Sequence, residues 1–298
     1  MMIKIPRIDG EYITVYKPAG DIFPGPDEAE LRAGKLYNEW VPNDHCFVTD
    51  ARGRWHAFGI THPLTGFDNV HAGENQSFHA IAPEGILTAA LGEGTWNDLP
   101  KVLPPAARPC EIRANHAPYI VRHDDLYYMI YGPTPLRYAT SLDLLEWTPR
   151  GELSNAPEGR DPNILLWNNT YHLLVCEPPY VRMAVSTDLV HWEGHRSILR
   201  MEGNLAAESP TLIRHNGTFY LFVCAWDGIW DKNNIQGAYQ HITHVYQSDE
   251  PCRFDSNQEI ARLNAHASEI FQDEASNWYI SSAEWPHRGV SIACLGWE

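Results

Sequence analysis

Asp161-Pro162-Asn163-Ile164, then Tyr171-His172-Leu173-Leu174-Val175, then Ser186-Thr187-Asp188-Leu189-Val190-His191-Trp192 form one unit of a pattern that recurs along the chain. The same order returns in Ala117-Pro118-Tyr119-Ile120, Leu126-Tyr127-Tyr128-Met129-Ile130-Tyr131 and Ser141-Leu142-Asp143-Leu144-Leu145-Glu146-Trp147. It returns again in Ser209-Pro210-Thr211-Leu212, Phe219-Tyr220-Leu221-Phe222-Val223 and a degenerate Ser248-Asp249-Glu250-Pro251-Cys252-Arg253-Phe254. Asp44-His45-Cys46-Phe47 with Trp55-His56-Ala57-Phe58 opens the series, and Ser268-Glu269-Ile270-Phe271 with Trp278-Tyr279-Ile280 closes it. Polar turn residues such as Asn168-Asn169 and His215-Asn216-Gly217 separate the first two strands of a unit, because these residues accept the positive φ of tight hairpins.

Units of this length with this internal order are the signature of propeller blades. Five of them predict an all-β, five-bladed β-propeller, with residues 1–298 forming one propeller domain. The last unit is short of a fourth strand, which Tyr12-Ile13-Thr14-Val15-Tyr16 would supply, closing the ring through the two chain ends. The gap between the first and second units is longer than the others. It predicts an insertion within Thr61 to Pro105, where His62, His71 and His79 are candidate sugar contacts. The best helical candidate is the short stretch Asp27 to Lys35.

Composition agrees and narrows the function. Eleven Trp, fourteen Tyr, 21 Gly and 22 Pro suit many short strands joined by turns. A formal net charge of -16 makes nucleic acid a poor partner. No apolar run is long enough for a membrane span, and the start lacks a secretory stretch. The expectation is a cytoplasmic protein without a membrane partner, and the oligomeric state is left open. The six cysteines show neither Cys-x-x-Cys nor zinc-type spacing and read as free thiols.

The innermost strands of a propeller line one central channel, so equivalent repeat positions meet in space. One aligned column reads Asp44, Ala117, Asp161, Ser209 and Ser268, and the column before it reads Asn43, His116, Arg160, Glu208 and Ala267. Asp44, Asp161 and Glu208 thus converge, joined by Asn43, Asn115, His116, Arg160 and His266. Carboxylates rarely gather in a channel without pairing or function. Glycoside cleavage needs such a set: one carboxyl protonates the leaving oxygen, another activates water or attacks the anomeric carbon. Arg160 beside Asp161 favours its ionised form, while Glu208 has no basic neighbour in sequence and is the better acid. Trp40, Trp226, Trp230 and Trp285 fall near predicted blade tops, where rings stack on sugars or fill core. His241 and His244 read as ordinary residues, since no third metal ligand is evident.

These motifs resemble the five-bladed propeller glycosidases of glycoside hydrolase families 43 and 32 and their relatives. Asn43-Asp44, Arg160-Asp161-Pro162 and Glu208-Ser209-Pro210 match the three acidic motifs; His116-Ala117-Pro118 and Ala265-His266-Ala267 match second- and fifth-blade motifs of family 43. The resemblance implies Asp44 as base or nucleophile, Asp161 as the residue that positions the sugar and tunes the acid, and Glu208 as general acid. Asn43, Asn115, His116, Arg160, Trp226, His266 and Trp285, from the same columns and blade tops, are the candidate substrate contacts. No cofactor is required, and a central calcium or other cation near His266 is compatible. The substrate would be an oligosaccharide of furanoside or pentose type, cut by an arabinofuranosidase-, xylosidase- or fructofuranosidase-like hydrolase; the insertion within Thr61 to Pro105, placed to wall off one side of the channel, predicts action from a chain end. Family 43 implies inversion at the anomeric carbon and family 32 retention. The alternatives are a catalytically inactive sugar-binding propeller and a glycosyl-transferring enzyme using the same site.

Overall fold

The structure, a computed structural model, describes residues 4–22, 34–63, 73–85, 87–92, 94–203, 205–226 and 239–298. Strand β1 (Pro6–Tyr16) is followed by a small hairpin of β2 (Asp21–Ile22) and β3 (Leu36–Tyr37). Blade 1 is β4 (Trp40–Thr49), β5 (Trp55–Pro63), β6 (Ser77–Ile81) and β7 (Asn97–Val102). Blade 2 is β8 (His116–His123), β9 (Leu126–Gly132), β10 (Arg137–Ser141) and β11 (Thr148–Glu152). Blade 3 is β12 (Arg160–Trp167), β13 (Thr170–Glu177), β14 (Tyr180–Ser186) and β15 (Glu193–Arg200). Blade 4 is β16 (Ala206–His215), β17 (Thr218–Trp226), β18 (Tyr239–Ser248) and β19 (Glu259–Asn264). Blade 5 is β20 (Ile270–Gln272), β21 (Trp278–Ala283), β22 (Val290–Trp297) and β1.

The five-bladed propeller expected from the repeat is therefore the fold. The N-terminal strand closes the ring as anticipated, and it is longer than Tyr12–Tyr16: β1 pairs antiparallel with β22 from Pro6↔Trp297 to Tyr16↔Val290. Five apolar cores fill the five blade junctions. Val15, Trp55 and Ile292 join blades 5 and 1, Phe58 and Met129 join blades 1 and 2, and Ile130 and Leu173 join blades 2 and 3. Leu174 and Leu221 join blades 3 and 4, and Phe222 and Ile280 join blades 4 and 5.

The recurring Ser-x-Asp turn has a local cause. Ser141 Oγ accepts the N–H groups of Asp143 and Leu144, and Asp143 Oδ1 accepts those of Leu145 and Glu146. Ser186 and Asp188 repeat these bonds one blade on. Short polar side chains thus satisfy the turn backbone, and the following Trp147 and Trp192 pack into neighbouring junctions.

Three expectations need correction or placement. The long first-blade segment is not one loop, since it contains β6 and β7, a one-turn helix at Leu87–Ala90 and a 3-10 turn at Pro105–Ala107. Its histidines do not act together. His79 is buried within blade 1, 2.8 Å from His56 and stacked on Phe58, and burial pushes its pKa down to about 3. His62 bonds the Pro63 carbonyl at 3.0 Å, and His71 lies outside the described residues. The helix expected at Asp27 to Lys35 lies almost wholly outside them too, and its last residue, Lys35, directly precedes β3. Among the described residues no helix is long and apolar enough to cross a membrane.

Candidate active site

The inner strands converge on the channel because each is broken at the same place. The ladder skips between His116 and Tyr119 in blade 2, Arg160 and Asn163 in blade 3, and Glu208 and Thr211 in blade 4. The first inserted residue has positive φ: Ala117 at 44°, Asp161 at 57° and Ser209 at 45°. Proline follows each of them and removes one ladder donor. A bulge of this kind re-aims side chains, here into the channel, and positive φ at a non-glycine residue is backbone strain of the sort held at functional sites. Blade 1 carries its skip between Pro42 and His45, without positive φ.

In blade 5 the positive φ falls on Ala267, at 48°. The fifth-blade column is therefore Ala267 rather than Ser268, and His266 rather than Ala267 stands level with Glu208, Arg160 and His116. Asp44, Ala117, Asp161, Ser209 and Ala267 line the channel together with Glu269.

Asp44, Asp161 and Glu208 are linked by one continuous set of hydrogen bonds across blades 1, 3 and 4. Ser209 Oγ donates to Asp44 Oδ1, and the Ser209 N–H donates to Asp161 Oδ2 at 3.2 Å. Arg160 Nη1 donates to the same Asp161 oxygen at 2.9 Å, and Arg160 Nη2 donates to Glu208 Oε1. Asp161 and Glu208 are buried and Asp44 is half-buried. Burial, then the charges of Asp161 and Glu208, push the Asp44 carboxyl well above the usual carboxylate range, against the Ser209 hydroxyl and Arg160. Burial opposes the Arg160 charge, but the two carboxylates outweigh it and hold the guanidinium protonated. Glu208, remote from any base in sequence, thus shares the guanidinium that Asp161 also uses.

Of the expected substrate contacts, Arg160 belongs to this set. His116 Nε2 stands 3.1 Å from Glu74 Oε2. Asn43 is half-buried beside Asp44, and Asn115 is fully buried. His266 is buried, with its N–H on Ser282 Oγ and Nδ1 3.1 Å from the Ala283 carbonyl, and burial pushes its pKa down to about 3. Trp285 is half-buried and reaches His266 through His241: the Trp285 and His241 rings stack at 6.0 Å, and His241 stands edge-on to His266 at 5.5 Å. Trp226 ends β17, and its side chain, like all of Trp230, lies outside the described residues. Trp40 is buried and donates to the Tyr37 carbonyl.

Four participants were not read from the sequence. Glu269 joins the channel lining, and burial pushes its carboxyl well up, against a hydrogen bond from Asn163. Glu284 is buried, and its pKa is raised to about 8 by burial, then by Glu74 and Asp44, with Arg288 opposing. Glu74 and His241 complete the group, and His241 has a strained φ of 47°. His244, by contrast, turns outward to Glu259 at 2.8 Å, so the two histidines of β18 do not form a pair. Among the described residues no three His, Cys, Asp or Glu side chains converge as metal ligands.

The model of glycosyl hydrolases family 43 matches residues 156–295. A curated relative, 1,2-beta-oligomannan phosphorylase of Thermoanaerobacter sp. (strain X514), is 28% identical over 141 residues, 42% of this chain and 46% of that protein. The match thus spans about half the length of that relative. Among solved structures, an exo-1,5-alpha-L-arabinanase from a bovine ruminal metagenomic library superposes with a TM-score of 0.58 at 16% identity, covering 85% of this chain and 92% of that one. The alpha-L-arabinanase of Cellvibrio cellulosa, complexed with arabinohexaose, gives 0.60 at 12%, covering 85% and 91%. A family 43 beta-xylosidase/alpha-arabinofuranosidase from a compost microbial metagenome gives 0.60 at 13%, covering 86% and 91%. At these identities the structures speak for the fold, and the family match lies over blades 3 to 5, where Asp161 and Glu208 stand. In fold, and in the stretch that carries Asp161 and Glu208, this chain is similar to the five-bladed propeller glycosidases of glycosyl hydrolases family 43.

Proposed function

We propose that this chain is a glycoside hydrolase acting on oligosaccharides of pentose or furanoside type, from a chain end and with inversion. The observation that carries the reading is the hydrogen-bonded series Asp44–Ser209–Asp161–Arg160–Glu208 at the channel. Asp44 takes a proton from water as the water oxygen attacks the anomeric carbon. Glu208 gives its proton to the departing glycosidic oxygen as that bond breaks. The products are a free sugar and a shortened alcohol, with Asp44 protonated and Glu208 ionised. In the free site the Arg160 guanidinium bonds both Asp161 and Glu208. Asp44 must be ionised to act as the base; burial opposes this, and the Ser209 hydroxyl and Arg160 favour it.

A second reading, phosphorolysis, is favoured by the match to an oligomannan phosphorylase. Phosphate as the nucleophile needs cations where water would stand. Among the described residues, the guanidinium at the three carboxyls is already bound twice, and the nearby His45 and His266 are pushed down to about 4 and about 3 by burial. Hydrolysis is the better fit. The experiment is a screen of nitrophenyl glycosides of arabinose, xylose, fructose and mannose and their oligosaccharides, with and without inorganic phosphate, followed by NMR. Sugar of inverted anomeric form, independent of phosphate, supports the proposal; a sugar 1-phosphate refutes it in favour of phosphorolysis. Early release of long internal fragments would refute action from a chain end.

A further inference from the structure

Asn75 and Asn115 are 2% and 0% exposed, and none of their four side-chain amide atoms has a hydrogen-bond partner. Buried carboxamides are seldom left in this state, because each unpaired group carries its full desolvation cost. Their backbones, by contrast, are tightly held. The Asn115 N–H donates to the Glu74 carbonyl at 3.0 Å. The guanidinium of Arg108, itself 2% exposed, donates to the carbonyls of Asn75 at 2.8 Å, Arg113 at 2.7 Å, Ile112 at 2.9 Å and Leu103 at 2.9 Å. One buried cation therefore staples the segment before β8 onto the segment before β6, and its fixed fork suits that task better than a flexible ammonium would. The amides are presented on a rigid support with their own hydrogen-bonding capacity unspent.

Their place is beside the catalytic channel. Asn115 directly precedes His116, which stands level with Glu208 in the ring of inner strands. Asn75 directly follows Glu74, whose carboxylate lies 3.1 Å from His116. Glu74 and Asp44 both act on the Glu284 carboxyl, so this wall adjoins the channel carboxyls. A carboxamide offers two donors and an acceptor, and a sugar hydroxyl is both donor and acceptor. A pair of amides beside acidic groups suits a ring with several free hydroxyls and no negative charge.

We infer that Asn75 and Asn115, positioned by Arg108, form a hydroxyl-recognition site between blades 1 and 2 for the uncharged terminal sugar of the substrate. The inference rests on the glycosidase reading and names the wall that selects the sugar. Uronic acids and phosphorylated sugars would meet the Glu74 carboxyl at this wall and are disfavoured.

The test replaces each amide by an apolar side chain of similar size, Asn75→Leu and Asn115→Leu, and measures thermal stability and kcat/KM on whichever nitrophenyl glycoside the wild type cleaves. The expected result is a melting temperature equal to or above that of the wild type, with kcat/KM at least ten-fold lower. In the Asp44→Asn background, calorimetry with free arabinose, xylose and mannose should show the same ten-fold weakening for the sugar that binds. A kcat/KM within two-fold of wild type, or a fall in melting temperature with activity per folded molecule unchanged, overturns the inference. If a Leu variant does not fold, Asn75→Ala and Asn115→Ala are read by the same criterion. A wild type that cleaves none of these glycosides defeats the glycosidase reading. The calorimetric arm then decides the sugar site alone, which stands if binding is lost with the amides and falls if no sugar binds.

Discussion

Replacing Glu284 by Gln tests the electrostatics of the pocket wall through stability alone. Glu284 is 4% exposed, and its pKa is raised from 4.5 to about 8 by burial and by Glu74 and Asp44. A carboxyl raised in the folded state contributes stability that is complete below its unfolded value and is lost as pH climbs through the folded one. The window is therefore pH 4.5 to 8. At about 1.4 kcal/mol for each pH unit, wild type gives up about 3 kcal/mol by pH 7 and about 5 kcal/mol above pH 8. Gln has nearly the same shape and cannot ionise, so the variant keeps what wild type loses. The two proteins should unfold at the same urea concentration near pH 4, and the variant should gain steadily above that. At pH 7 the gain corresponds to a melting temperature higher by roughly 5–10 °C. Urea titrations at pH 4, 5.5, 7 and 8.5 measure it. A stability difference that is constant across these pH values, or a wild type more stable than the variant at pH 8.5, would show that Glu284 is ionised in the folded protein and refute the reasoning.

Three further outcomes follow from the proposed roles of the hydrogen-bonded series. Asp44→Asn should lower turnover by roughly 10²–10⁴-fold with the fold intact by circular dichroism; retention of even a tenth of the activity would remove Asp44 from the base position. Glu208→Gln should slow poor leaving groups far more than nitrophenyl glycosides, because an aryl oxide departs without a proton, and equal losses on both would end its assignment as the acid. Arg160→Met strips the shared donor from two buried carboxylates. Breaking such pairs costs about 3–5 kcal/mol when fully buried, and with Arg160 at 29% side-chain exposure a loss of roughly 2–4 kcal/mol is expected from urea unfolding; less than 1 kcal/mol would mean the carboxyls protonate and do without the cation.

The sequence carried what the blades have in common and little else. Strand, turn and the Ser-x-Asp corner recur because each blade solves the same backbone problem, so the blade order and the N-terminal closing strand were legible. The convergence of Asp44, Asp161 and Glu208 was legible for the same reason, since a column of the repeat is a ring in space. In blades 2 to 4 a proline marks the bulge that aims the column inward. Ala265-His266-Ala267-Ser268 has no such proline, and the fifth-blade alignment came out one residue late. The parts peculiar to one blade had nothing to be aligned with. Arg108 works by donating to scattered backbone carbonyls, which leave no trace in side-chain spacing. Glu74 and Asn75 stand in a segment with no counterpart in other blades, and Glu284 precedes Trp285-Pro286 outside any repeated motif. His79 shows the converse error: a histidine in a long insertion reads as a sugar contact until strand pairing places it inside blade 1, on His56. The repeat therefore locates Asp44, Asp161 and Glu208, at the level where all blades agree. Glu74, Asn75 and Arg108 stand where the blades differ, and only the packing of the first-blade segments against the segment before β8 brings them together.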